Sequence, residues 1–139
     1  MARVLALDYG SARCGCAISD PTGTLATPLA PVARPDTLRG LAAIAALVQE
    51  CSATRVVVGL PLSLSGDDSE QTRAARDFAD RLAQRLGNEV TVELLDERLT
   101  TRLAARSSAH ARSSEDSRAA AHLLESWLAA ARAPGGSLP

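Results

Sequence analysis

The sequence is poor in aromatic residues and contains no lysine. Aromatic side chains make up 2% of its 139 residues, so the core has to be built from Leu, Val, Ile and Ala. All 15 basic residues are arginines, which bind phosphate and carboxylate groups through a rigid fork of donors. The formal net charge is −1, so any surface that binds a polyanion has to be local. Because base stacking needs aromatic rings, a nucleic acid would be held through its backbone.

Cysteine is also scarce, and its spacing excludes the common zinc and redox motifs. Cys14 and Cys16 are two residues apart and Cys51 stands alone, so no C-x-x-C pair is present. No secretory signal opens the chain, and no apolar run approaches the length of a membrane span. We therefore expect a cytoplasmic protein with three small core thiols.

Hydrophobic runs and turn residues predict one α/β domain over residues 1–132 and a flexible tail over residues 133–139. Strands are expected at residues 4–8, 13–19, 24–29, 55–60 and 90–95, with prolines ending the third. Helices are expected at residues 37–51, 70–86 and 115–131, with another starting near residue 100. This order predicts a five-stranded mixed sheet, antiparallel among the first three strands and parallel among the inner strands, flanked by helices.

Three acidic residues are expected at one edge of this sheet. Asp8 ends the first strand and Glu97 follows the fifth, and open sheets bind ligands at the carboxyl ends of parallel strands. Asp116 begins the last helix, where helical spacing places it on the same stripe as Leu123 and Trp127. Each acid also has a purely structural interpretation, as a turn residue or as part of a helix cap. Chance placement of all three at one edge is the less favoured interpretation.

Three converging carboxylates would repel one another, and this repulsion would raise at least one pKa unless cations neutralise them. Carboxylate oxygens favour Mg²⁺ or Mn²⁺, and no zinc-type cluster of His and Cys is present. Asp8, Glu97 and Asp116 are therefore predicted both as metal ligands and as catalytic residues. Two ions about 4 Å apart, bridged by Asp8, would activate water and stabilise the leaving oxygen of a phosphodiester.

Arginines surround these acids and predict a polyanionic substrate, although a solvated helix face is the alternative interpretation. The candidate substrate-binding residues are Arg13, Arg98, Arg102, Arg106, Arg112 and Arg118.

Four sequence blocks resemble those of the YqgF (RuvX) family and span nearly the whole chain. They read LDYGSARCG from Leu7, VGLPL from Val58, DERLTT from Asp96, and DS from Asp116 followed by LLESWL from Leu123. The family is identified with pre-16S rRNA nucleases that have a Holliday-junction-resolvase-like, RNase H-like fold. The resemblance implies the same three catalytic carboxylates, cytoplasmic processing of the 5′ end of ribosomal precursor RNA, and DNA-junction activity as a second role.

The chain departs from the family pattern in two loops. Where the family usually has Asn-x-Asp-Gly, this chain has Ser-Leu-Ser-Gly over residues 63–66, and its loop over residues 107–115 is short. His110 in that loop is a candidate for placing water or expelling product, and an ordinary surface histidine is the alternative. We therefore expect substrate affinity and substrate preference to differ from those of the family.

Three hypotheses remain open from sequence. The first is the two-metal nuclease, as a monomer or as the homodimer that symmetric junction cleavage requires. The second is a non-catalytic module that binds structured RNA. The third is an ATPase of the actin and sugar-kinase type, which the Asp-x-Gly-Ser segment resembles but which needs two such domains. Its test is stabilisation by ATP.

Overall fold

The computed structural model describes residues 3–61, 69–97 and 115–132. The strands are β1 (Arg3–Asp8), β2 (Arg13–Ser19), β3 (Ala26–Ala33), β4 (Ala53–Leu60) and β5 (Thr91–Asp96). The helices of the described ranges are α1 (Leu38–Cys51), α2 (Glu70–Leu86) and α3 (Glu115–Arg132). The strands form one sheet in the order β3-β2-β1-β4-β5. The β1–β2 and β2–β3 pairs are antiparallel, and the β1–β4 and β4–β5 pairs are parallel, which confirms the predicted mixed sheet.

Alternation along the central strands divides the core into two layers. Leu5 and Leu7 of β1 point to the face covered by α1 and α2, where Phe78 is among the largest buried side chains. Val4 and Ala6 point to the opposite face, which α3 covers. Successive strand residues point to opposite sides of a sheet, so the continuous apolar run in β1 is explained by burial on both faces.

The predicted end of the third strand is wrong. β3 continues to Ala33 and contains Pro28 and Pro31. It lies at the edge of the sheet, beside β2 alone, and an edge strand tolerates residues that lack an N–H donor. The extension brings the end of β3 to the same sheet edge as Asp8, because Ala33 pairs with Arg13.

Sequence signals located the three described helices well, but helical spacing alone does not give the buried face of α1. α2 has the predicted bounds, and the Thr37 hydroxyl caps α1 by accepting a hydrogen bond from the Gly40 N–H at 3.0 Å. Leu38 has the helical spacing of the buried residues Leu41 and Val48 but is itself 77% exposed. As the first residue of α1, Leu38 lies at the end of the helix, beyond the stripe that contacts the sheet.

Helix α3 contacts the sheet through a glycine of β2. A Cβ atom at Gly15 would lie 1.9 Å from the Asp116 carbonyl oxygen, so only glycine lets the first turn of α3 approach this strand. The Ser117 hydroxyl accepts a hydrogen bond from the Cys16 N–H at 3.3 Å. These two contacts hold the start of α3 at the sheet edge where β1 ends.

Several sequence expectations fall outside the described residues. They are the helix near residue 100, the loops over 62–68 and 107–114, and the tail over 133–139. Among the described residues, no helix combines the length and apolar character needed to span a membrane.

Candidate active site

Asp8 and Glu97 meet at the carboxyl edge of the parallel strands. Asp8 is the last residue of β1, and Glu97 directly follows β5. The strand between them, β4, carries Gly59 near its end, where an added Cβ atom would lie 2.7 Å from Glu97 Oε1. The missing side chain at Gly59 therefore leaves the space through which Glu97 reaches across β4.

The Asp8 carboxyl group is held in its protonated form by its surroundings. Burial is the largest cause, followed by a hydrogen bond with Glu97 and by the negative charges of Glu97 and Asp116. Together they raise the pKa of Asp8 to about 8. Two carboxyl groups in hydrogen-bond contact need a proton or a cation between them, so this pair favours the entry of positive charge.

Asp116 lies within electrostatic range of Asp8, but its carboxylate is paired with an arginine. Asp116 Oδ2 is 3.1 Å from Arg13 Nε, and the two side chains are 38% and 67% exposed. An exposed pair of this kind contributes little to stability. Each side chain can therefore readily exchange the other for a new partner. Asp116 could take a cation, and Arg13 could take a phosphate.

The donor set suits a hard divalent cation, although the described side chains do not converge on a single point. Carboxylate oxygens are the ligands that Mg²⁺ and Mn²⁺ prefer, and the Asp8–Glu97 contact brings two of them together. Within residues 3–61, 69–97 and 115–132, no three acidic, His or Cys side chains form a metal-binding group. Asp116 would have to turn from Arg13 toward Asp8 to complete a three-carboxylate site.

A cleft of about 500 Å³ opens beside the paired carboxyls. The Tyr9 hydroxyl donates a hydrogen bond to Asp36 Oδ2 at 2.5 Å, and the Tyr9 ring stacks on Phe78 with 4.9 Å between centroids. Burial and this hydrogen bond raise the pKa of Tyr9. The cleft is lined by Asp8, Tyr9, Gly10, Ser11, Asp36, Pro61, Glu70, Gln71, Ala74 and Glu97. All four charged residues among these are acidic, so the cleft is better suited to cations or neutral hydroxyl and amide groups than to a bare phosphate.

The predicted arginines divide into two that the structure describes and four that it does not. Arg13 lies beside Asp116. Arg118 is partly buried on α3 and forms no ion pair with a described residue. Arg98, Arg102, Arg106 and Arg112 lie outside the described residues, as does His110.

Sequence reasoning missed the residues on the α2 side of the cleft. Glu70 and Gln71 open α2, which follows the carboxyl end of β4. The rule that placed Asp8 and Glu97 at this edge applies to them as well. Asp36 directly precedes Thr37, the N-cap of α1, and its position in the sequence gives no sign of a role in the cleft.

Sequence comparisons connect nearly the whole chain with one family. A family model described as "RuvX: Holliday junction resolvase" matches residues 2–130. A protein of Myxococcus xanthus named "Putative pre-16S rRNA nuclease" is 42% identical, over 95% of this chain and 91% of its own length. One of the same name from Mycolicibacterium paratuberculosis is 44% identical, over 94% of this chain and 82% of its own length.

Solved structures with the same fold include two resolvases bound to junction DNA. RuvC of T. thermophilus in complex with a Holliday junction substrate has a TM-score of 0.66 and 12% identity, covering 95% of this chain and 96% of that one. Fowlpox virus resolvase with Holliday junction DNA has a TM-score of 0.56 and 10% identity, covering 94% of this chain and 99% of that one. At these identities the likeness concerns the fold.

Proposed function

This chain belongs to the RuvX family of resolvase-like nucleases, and from that premise we propose that it is a divalent-metal-dependent nuclease that processes the 5′ end of pre-16S ribosomal RNA. The observation that carries the proposal is the hydrogen-bonded pair of Asp8 and Glu97 at the carboxyl edge of the sheet, with Asp116 in electrostatic range. The name of the relatives supports RNA as the substrate. Synthesis of this RNA in the cytoplasm supports a cytoplasmic location for the protein.

Asp8, Glu97 and Asp116 are the residues that would hold Mg²⁺ or Mn²⁺, as one ion or as the pair typical of such carboxylate sites. When bound, the metal supplies charge that lowers the pKa of water and offsets the negative charge on the leaving oxygen. The chain itself contributes a preformed contact between two of the three carboxyls. It also excludes water around Asp8 through burial, which strengthens electrostatic interactions there.

Arg13 has a role that its pairing suggests directly. Its Nε atom contacts Asp116, but a guanidinium has five N–H donors. A backbone phosphate that approaches the carboxylates would accept hydrogen bonds from this fork. The exchange would leave Asp116 free to turn toward Asp8, so substrate arrival would help to complete the carboxylate cluster.

The test is a cleavage panel with wild type beside Asp8→Asn. Substrates are a 5′-extended 16S precursor RNA, a single-stranded RNA, a single-stranded DNA and a four-way DNA junction, each in Mg²⁺, in Mn²⁺ and in EDTA. We expect wild type to cut the precursor RNA in a divalent cation and not in EDTA. We expect Asp8→Asn to lose at least about a thousandfold in rate while it remains folded.

The remaining outcomes separate the competing functions. Full cleavage by Asp8→Asn would refute the carboxylate mechanism. Preferred cleavage of the four-way junction, by a dimer, would instead support the resolvase activity in the family's description. Binding of RNA that persists in EDTA, with no cleavage in Mn²⁺, would support the non-catalytic module.

A further inference from the structure

Arg34 lies at the same sheet edge as the carboxylates, one residue beyond the end of β3. Its neighbour Ala33 pairs with Arg13 across the β2–β3 ladder. Its N–H donates a hydrogen bond to the Ala12 carbonyl at 2.9 Å. Ala12 belongs to the short segment that follows Asp8 and leads into β2. The backbone of Arg34 is therefore tied directly to the loop that borders the candidate active site.

The backbone of Arg34 is held in a left-handed conformation that arginine rarely adopts. Its φ is 45°, a region favoured by glycine and, less often, by asparagine. Its carbonyl accepts hydrogen bonds from the Thr37 N–H at 3.2 Å and from the Thr37 hydroxyl at 2.8 Å. Gly40 lies so close beneath this carbonyl that an added Cβ atom would be 2.1 Å from it. A strained residue that is fixed this firmly invites a functional explanation.

The Arg34 side chain has no structural task in the described part of the chain. The residue is exposed, and its guanidinium forms neither an ion pair nor a hydrogen bond with a described residue. Packing or charge pairing in residues 3–61, 69–97 and 115–132 therefore gives no reason for an arginine in a position that suits glycine.

Arg34 lines a cleft that shares two residues with the cleft of the carboxylates. Ser11, Ala12, Arg34, Asp36 and Thr37 line a shallow cleft of about 330 Å³. Ser11 and Asp36 also line the cleft that contains Asp8 and Glu97. Ser11 is exposed, so its hydroxyl is available as a hydrogen-bond donor. The two clefts are therefore adjacent, and Arg34 brings positive charge to the shallow one, next to Asp36, whose carboxylate accepts the Tyr9 hydrogen bond.

We propose that Arg34, with Ser11, binds a backbone phosphate of the substrate strand next to the phosphate that is cut. This inference rests on the proposed nuclease function and adds the path of the strand, which would leave the carboxylates over Ser11 toward Arg34. A guanidinium carried on this fixed backbone would hold the strand by its phosphates. Such a contact positions the substrate without reading its sequence.

The test measures binding separately from cleavage. Each variant is made in the Asp8→Asn background, and the affinity for a fluorescent single strand from the precursor 5′ end is measured in EDTA between about 50 and 300 mM salt. We expect Arg34→Ala to lower the affinity by about tenfold at low salt. We also expect the slope of log affinity against log salt to fall by roughly 0.7 to 0.9, the loss of one phosphate contact.

Two further variants separate charge from structure. Arg34→Lys keeps the charge and should retain most of the salt slope. Arg34→Gly removes the charge and relieves the left-handed strain, so it should lose the slope while its melting temperature stays equal or rises.

The matched control is Arg85→Ala, which removes an exposed arginine near the end of α2, where it lines a separate cleft with Val48 and Glu89. Its salt slope should equal that of the parent. An Arg34→Ala slope equal to that of Arg85→Ala, or weakened binding only in variants with a lowered melting temperature, would overturn the proposal. Because cleavage does not enter this measurement, its result is independent of the test of nuclease activity.

Discussion

Asp8 combines two properties that conflict in a folded protein without metal. It is a carboxyl group at the end of a buried strand, and it is in hydrogen-bond contact with a second carboxyl, that of Glu97. Burial and repulsion both disfavour its ionised form. The pKa of Asp8 is raised for this reason, and the effect can be measured because the folded chain keeps a proton that the unfolded chain loses.

This difference predicts a pH dependence of stability. Since the folded pKa of Asp8 is about 8 and that of an unfolded Asp is about 4, folding retains a proton between these values. The contribution of Asp8 is fully present below about pH 4 and is lost as pH rises through about 8. In EDTA, the urea midpoint of wild type should fall across this window more steeply than that of Asp8→Asn. Equal pH dependence of the two proteins would contradict the assignment.

At the scale of elements, the local sequence pattern was sufficient to predict a strand or helix where a single apolar run or helical stripe determines it. The apolar run of β1 and the helical spacing of α2 have the predicted form. The family resemblance then named the same acids as the strand-end argument. Contacts between elements could not be read in this way: nothing in the sequence shows that Gly15 touches α3 or that Gly59 makes room for Glu97. The edge position of β3, which permits its prolines, is likewise a property of the whole sheet.

The contact between β4 and Glu97 predicts the effect of Gly59→Ala. The new methyl group would be 2.7 Å from Glu97 Oε1 and 3.1 Å from Leu123 Cδ2, so the carboxylate has to move. We expect cleavage to fall by about a hundredfold, with a loss of unfolding free energy of about 1 to 2 kcal/mol, measured by single-turnover kinetics and urea denaturation.

A double-mutant cycle with Glu97→Asp tests the cause. The shorter side chain restores space beside Ala at position 59, so the double variant should cut faster than the two single losses predict together. If the two single losses in rate simply add, the methyl group at position 59 does not act by displacing the Glu97 carboxylate. Gly15→Ala is the contrasting case, because its methyl group would meet the backbone of α3 at 1.9 Å and should prevent stable folding.

At the scale of the whole molecule, the sheet brings together charged residues that are far apart in the sequence. The formal net charge is −1, yet Asp8 and Glu97 lie together at one edge, with Arg13 and Arg34 beside them. The family match runs over residues 2–130, while the domain bounds of residues 1–132 and the flexibility of residues 133–139 stay predictions. A local surface of this composition fits a metal-dependent grip on a nucleic-acid backbone better than a general attraction for polyanions.

The central claim is that these carboxylates bind a divalent cation in exchange for the proton on Asp8. Calorimetric titration of Mn²⁺ at pH 7, in buffers of different ionisation enthalpy, measures both binding and proton release. We expect wild type to bind Mn²⁺ and release about one proton per site, and Asp8→Asn to bind at least about tenfold more weakly and release none. Equal Mn²⁺ affinity in the two proteins, or binding by wild type without proton release, would contradict the account.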